Sequence, residues 1–186
     1  MLTEVFGRSF MRFGWIATVL VMMGAAAAGS RAQDAPKEVK VQLINATGQD
    51  AGSATFKTVK KGVKVKIELK NMEFGLHGVH IHQNAACDAP DFKSAGGHFN
   101  PDGKHHGYLN PMGHHNGDMP ESVSVGEDHM GTATFVIPSI SLDPKAPNSL
   151  FLNGGTSIVV HAKADDQKTD PSGDSGNRIA CAVIKL

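Results

Sequence analysis

Val39, Val41 and Leu43 alternate with Lys40 and Gln42, and Val63, Val65, Ile67 and Leu69 alternate with Lys64, Lys66, Glu68 and Lys70. A period of two puts one set of side chains on a core and the other in water, as in a half-buried strand. The stretch 51–60 between them reads as a third strand, because Lys60-Lys61-Gly62 makes a turn. Further short strands are expected at 78–82, 122–125, 132–137, 157–160 and 179–185. Eight short strands with Gly/Pro turns and no helical period predict an all-β antiparallel sandwich or barrel. Two long irregular stretches, about 83–121 and about 162–177, interrupt the pattern. Ordered loops of that length are usually functional.

The first residues read differently. Arg8 and Arg12 form a basic start, residues 15–28 are uncharged and apolar or small, and Ser30-Arg31-Ala32 offers small residues where a signal peptidase reads. Residues 1–32 are expected to be a signal peptide, beginning at Met1 or Met11, and residues 33–186 an exported domain, periplasmic or otherwise secreted. The apolar run falls short of the ~20 residues of a membrane span, so no stable membrane association is expected once it is removed. The chain has 18 basic and 18 acidic residues. Removing the leader takes Arg8, Arg12, Arg31 and Glu4, which leaves the rest near neutral. Without a basic stripe, no nucleic-acid partner is expected. Trp15 is the only tryptophan, so the mature core rests on aliphatic residues and Phe. In an exported chain the pair Cys87 and Cys181 reads as a disulfide. Two free buried thiols are the other reading.

The histidines add chemistry. All ten lie between His77 and His161, mostly in four phrases. These are Gly75-Leu76-His77-Gly78-Val79-His80-Ile81-His82, Gly97-His98-Phe99-Asn100-Pro101, Lys104-His105-His106-Gly107 running on to His114-His115-Asn116-Gly117-Asp118, and Val159-Val160-His161-Ala162-Lys163-Ala164-Asp165-Asp166. On a strand, residues two apart share a face, so His80 and His82 project together. His161 adds a third imidazole from the end of another strand, and His98 a fourth from a glycine-flanked loop. Four imidazoles suit a tetragonal copper(II) site. A general histidine-rich metal buffer would collect such residues too, but has no use for the cysteine pair or for Arg178.

Taken in order, the phrases from about Lys37 to Leu186 closely resemble the copper,zinc superoxide dismutases of the bacterial secreted type. The resemblance implies an eight-stranded antiparallel Greek-key barrel or sandwich with two long functional loops, and one copper and one zinc ion per chain. It implies conversion of superoxide to dioxygen and hydrogen peroxide as copper cycles between Cu(II) and Cu(I). His80, His82, His98 and His161 resemble the family's copper ligands, and His98, His106, His115 and Asp118 its zinc ligands. His98 is shared and is also expected to carry a proton. His105 and His114 adjoin two zinc histidines, so a one-residue shift stays open; His106 and His115 are preferred, with their neighbours as exposed loop residues. Asp165 matches an aspartate that accepts hydrogen bonds from one copper and one zinc ligand. Arg178, three residues before Cys181, matches an arginine held over the copper, where a guanidinium can guide a small anion. Lys163 and Lys168 add positive charge nearby. His77 matches a histidine that bonds backbone, and His129 reads as an exposed turn residue. Superoxide is the expected small-molecule partner, and a homodimer is compatible with the sequence. The alternative is a non-enzymatic copper- or zinc-binding protein of the same fold. A missing copper ligand or arginine would favour it, and neither is missing.

Overall fold

A computed structural model of the chain describes residues 34–186; the expected signal peptide at 1–32 lies outside the described residues. The alternating segments become three consecutive antiparallel strands, β1 (Glu38–Asn45), β2 (Asp50–Val59) and β3 (Gly62–Lys70). Val63, Val65, Ile67 and Leu69 are buried, while Lys64, Lys66 and Lys70 are exposed. The register keeps the alternation in phase across the sheet. Ile67 lies opposite Ala54 on one side and Ala133 on the other. A slip of one residue would turn the whole apolar row into water.

Six more strands follow: β4 (Gly75–His77), β5 (Val79–His82), β6 (Val123–Val125), β7 (Met130–Ile137), β8 (Thr156–His161) and β9 (Arg178–Ile184). They form one antiparallel sheet in the order β4-β6-β7-β3-β2-β1-β9-β8-β5. Its two outer strands, β4 and β5, are neighbours in the chain and are separated only by Gly78. The sheet therefore curls into a nearly closed barrel. Nine strands stand where eight were expected: β4 falls before the expected strand at 78–82, and the extended segment around Gly78 changes partners. Its first half pairs with β6 and its second half with β8. Both halves look alike in sequence, and only the partner change separates them.

Leu43, Phe56, Ile67, Leu69, Ile81, Ile137, Leu150, Ile158 and Ile184 are all buried in one apolar core. The two long loops lie at 83–122 and 162–177, between β5 and β6 and between β8 and β9. A third long connection, 138–155, was not anticipated. It buries Ile140, Leu142, Leu150 and Phe151 in the core, so it serves packing. Among the described residues no helix is long and apolar enough to cross a membrane.

Candidate metal centre

Strand β5 anchors the site. His80 and His82 are fully buried, and Ile81 between them packs into the core. One side of β5 pairs with β8. The other is covered by the first long loop: Phe99 N–H donates to Ile81 O, Gln83 N–H to Gly97 O, and Ile81 N–H to Gly117 O. Isolated bridges join His82 to His98 and His80 to Asp118. The exposed edge of β5 is thus satisfied by the loop segments that carry candidate ligands. Gly117 is required there, since a Cβ would come within 2.5 Å of Ile81 O. His161 arrives from the end of β8, beside His80 and His82, with ring centroids 4.8 and 5.6 Å away.

Hydrogen bonds on the outer ring nitrogens fix the tautomers. His80 donates from Nε2 to Asp165 Oδ2 (2.7 Å), His82 from Nδ1 to Gly96 O (2.9 Å), and His161 from Nδ1 to Gly176 O (3.2 Å). A neutral imidazole that donates from one nitrogen carries its lone pair on the other. Those other nitrogens, His80 Nδ1, His82 Nε2 and His161 Nε2, together with His98 Nε2, are buried and have no partner. The four residues bring one ligand atom each to within 4.8 Å of one another. Four buried, convergent, unsatisfied lone pairs are costly unless a cation takes them. The residues therefore fit a metal ion. Burial, reinforced for the first two by the neighbouring His98, holds His80 and His82 well below the ordinary histidine range, and burial lowers His161 to about 4. In neutral solution these imidazoles are unprotonated and ready to ligate.

His98 faces a second group through its other nitrogen. Asp118 Oδ1 lies 2.9 Å from His98 Nδ1, 3.1 Å from His106 Nδ1 and 3.4 Å from His115 Nδ1. His115 Nδ1 is 3.3 Å from His98 Nδ1. A tetrahedral zinc ion bound at 2.0–2.1 Å needs ligand atoms about 3.3 Å apart, so this set also fits. Asp118 Oδ2 accepts from the Gly107 and His115 backbone N–H groups at 2.9 and 3.0 Å. Burial opposes ionisation of Asp118, but the His106, His115 and His98 imidazoles outweigh it and hold its carboxyl far below the usual range. His80 also lies close to His98, His106 and Asp118. Its Nε2 is committed to Asp165, however, and its free Nδ1 belongs with the first set.

Asp165 joins the two groups. Its Oδ1 accepts from His106 Nε2 at 3.0 Å while its Oδ2 holds His80. Burial lowers the basicity of His106, yet Asp118 and Asp165 outweigh it and raise the imidazole to about 9. His105 and His114 lie outside both sets. His105 donates from Nδ1 to Asp170 and is half exposed. His114 stacks on Tyr108 at 3.8 Å and donates to His115 O. His77 lies between His161 O and Glu73 O at 2.7 and 2.9 Å. His129 is exposed in its turn and donates to Met72 O.

Cys87 and Cys181 form a disulfide with Cα atoms 5.7 Å apart, which ties the first long loop to β9. That loop supplies Phe92 O and Gly96 O, and Arg178 donates to them from Nη1 (2.8 Å) and Nη2 (2.6 Å). Gly96 O thus serves both Arg178 and His82. An open recess of 210 Å³ reaches the first histidine set, lined by His82, His98, His161, Pro171, Ser172 and Arg178, with Gly97 and Gly176. Lys163 and Lys168 are exposed on the second loop. Sequence reasoning missed Gln167, Asp170 and the Gly96 carbonyl. These act by hydrogen bonds between segments distant in the chain, and no local spacing signals them.

A β-barrel whose strands and loops gather six buried histidines and Asp118 into two adjoining ligand sets, linked by Asp165, is a metal-binding protein of the two-metal barrel class. The sequence pattern described as copper/zinc superoxide dismutase matches residues 50–184, and the chain belongs to that family. It is 43% identical to "Superoxide dismutase [Cu-Zn] 1" of Aquifex aeolicus over 146 residues, covering 77% of this chain and 85% of the relative. Its fold is similar to a superoxide dismutase-like protein of Bacillus subtilis (TM-score 0.74, 38% identity, 78% of this chain and 97% of that one). It is also similar to the Cu/Zn superoxide dismutase of Brucella abortus (TM-score 0.64, 29% identity, 80% and 99%).

Proposed function

We propose that the protein is a superoxide dismutase that disproportionates two superoxide ions, with two protons, to dioxygen and hydrogen peroxide. The observation that carries this reading is the set of four convergent, unpartnered ring nitrogens beside an open recess that Arg178 borders. A non-enzymatic binding protein has no need of a recess leading to the ligands or of a fixed guanidinium at its edge. His80, His82, His98 and His161 would hold copper, and His98, His106, His115 and Asp118 would hold zinc. Copper supplies the electron exchange when bound, whereas zinc has no redox chemistry and serves structure and charge.

The chain's own groups do the rest. Arg178, fixed by two carbonyls, presents donors and positive charge to an anion entering the recess. His98 has one nitrogen toward each ligand set, so its Nε2 can hold a proton and pass it to a departing peroxide. Asp165 fixes the rings of His80 and His106 together. The buried bonds of Asp118 keep it ionised as an anionic ligand.

The same reading places the protein in the periplasm or another exported compartment, with residues 1–32 as the removed signal peptide and 33–186 as the mature domain. The disulfide supports it, since such bonds persist in oxidising compartments. The test is metal content of purified protein with the copper paramagnetic resonance spectrum and the superoxide dismutation rate. One copper and one zinc with a nitrogen-rich copper signal and a rapid rate are expected. Full metal with no rate would favour the binding protein.

A further inference from the structure

We infer that Gln167 is a positioning residue that clamps both ends of the zinc-ligand set and slows zinc release. The inference rests on the metal assignment above, and goes beyond it by naming a residue outside both ligand sets. Gln167 is buried in the second long loop. Its Oε1 accepts from Tyr108 N–H at 3.1 Å, two residues after His106. Its Nε2 donates to Met119 O at 3.2 Å, one residue after Asp118. One partner can only donate and the other can only accept, so the amide has a single orientation.

The main chain of Gln167 does similar work. Its carbonyl accepts from Leu109 N–H at 3.1 Å. Its own N–H donates to Asp165 Oδ1 at 2.7 Å, the oxygen that also holds His106. Gly107 packs flat against it, and a Cβ there would lie 2.1 Å from the Gln167 carbonyl. One residue therefore meets the chain just past His106, just past Asp118, and the carboxylate that links the two ligand sets. Gln167 has a positive φ of 62°. This turn of the backbone aims the amide inward, and such conformations persist where surrounding contacts hold them.

The side chain and the backbone have separable roles. The side-chain amide spans only the zinc loop, whereas the link to Asp165 and hence to His80 is made by the backbone. Removing the amide should therefore loosen zinc and spare the copper geometry. Gln167→Met keeps the length and volume of the side chain and removes both polar contacts. Two neutral hydrogen bonds correspond to roughly tenfold or more in rate.

The experiment measures zinc transfer from the copper- and zinc-loaded protein to a chromogenic chelator. It adds the visible spectrum with cobalt(II) in place of zinc and the copper paramagnetic resonance spectrum. Ile137→Val, a core truncation at the end of β7 outside both ligand sets, serves as a stability control. The expected result is zinc release faster by about tenfold or more in Gln167→Met, an altered cobalt spectrum, and an unchanged copper spectrum while zinc is bound. Ile137→Val should release zinc at the wild-type rate. Release within twofold of wild type in Gln167→Met overturns the inference, as does an equal acceleration in Ile137→Val at comparable loss of Tm. If the wild-type protein holds no zinc, the metal assignment fails instead.

Discussion

His161, the last residue of β8, is the register partner of Arg178, the first residue of β9, across a bulge at Val160/His161. A bulge bends its strand and re-aims the side chains beside it. Here it turns a strand residue into a candidate ligand and sets the arginine at the edge of the same recess. Arg178→Glu should lower the dismutation rate by about tenfold or more, since a focusing positive field is replaced by repulsion. Copper and zinc content should stay intact. Arg178→Lys should retain more activity, because it keeps the charge and loses the planar fork. The wild-type rate should fall with added salt and the Glu variant's dependence should weaken or reverse. Equal rates for wild type and Arg178→Glu at low salt, with full metal, would remove Arg178 from the mechanism.

Asp165 accepts from two rings that belong to different ligand sets. In Asp165→Asn an NH₂ group must face one of the two N–H donors, so one of these bonds is lost. Metal affinity is expected to drop by about 10–100-fold. Chelator competition for each metal in turn will show which ring is released. Unchanged affinity for both metals would contradict the linking role.

The adjacent histidines allow a direct comparison. His106→Ala and His115→Ala should each lose zinc, while His105→Ala and His114→Ala should keep it. Zinc analysis of the four proteins decides this. Zinc loss confined to the 105 or 114 variant would shift the ligand assignment by one residue.

The disulfide joins β9 to the loop that offers Phe92 O and Gly96 O to Arg178. Cys87→Ser with Cys181→Ser should cost about 2–5 kcal/mol of stability. It should also lower the rate at full metal loading, because the carbonyls orienting Arg178 are released. Denaturant titration and single-turnover rates separate the two effects. A rate that is unchanged at full metal would limit the disulfide to stability.

The metal-free protein should show a maximum of stability near pH 6.5. Burial holds His161 at about 4, and holds His80, His82 and His98 below the ordinary 6.5. Below pH 6.5 the unfolded chain binds more protons at these sites, so stability is lost as pH falls from 6.5 toward 4. His106 acts in the opposite sense. Burial lowers it, but Asp118 and Asp165 raise it overall to about 9. Its contribution is complete below 6.5 and is lost as pH rises through 9. Thermal scans of metal-free protein between pH 4 and 9 test this. A Tm that climbs steadily from pH 6.5 to 9 would refute the His106 part.

The sequence by itself determined eight of the nine strands and the residue types of the site. Period-two alternation in β1 and β3 needs only local side-chain direction, and His-x-His at 80 and 82 shares a face for the same reason. The family resemblance extended these local facts to an ordered set of histidines, two aspartates, an arginine and two cysteines. Only the tertiary structure decided what depends on distance. It split the extended segment at Gly78 between two partners, gave the connection at 138–155 to the core, and seated His105 on Asp170 and His114 on Tyr108. It also revealed Gln167, whose contacts at Tyr108 and Met119 lie 59 and 48 residues away. A hydrogen bond is directional and short, so its partners follow from how loops pack and leave no period in the chain.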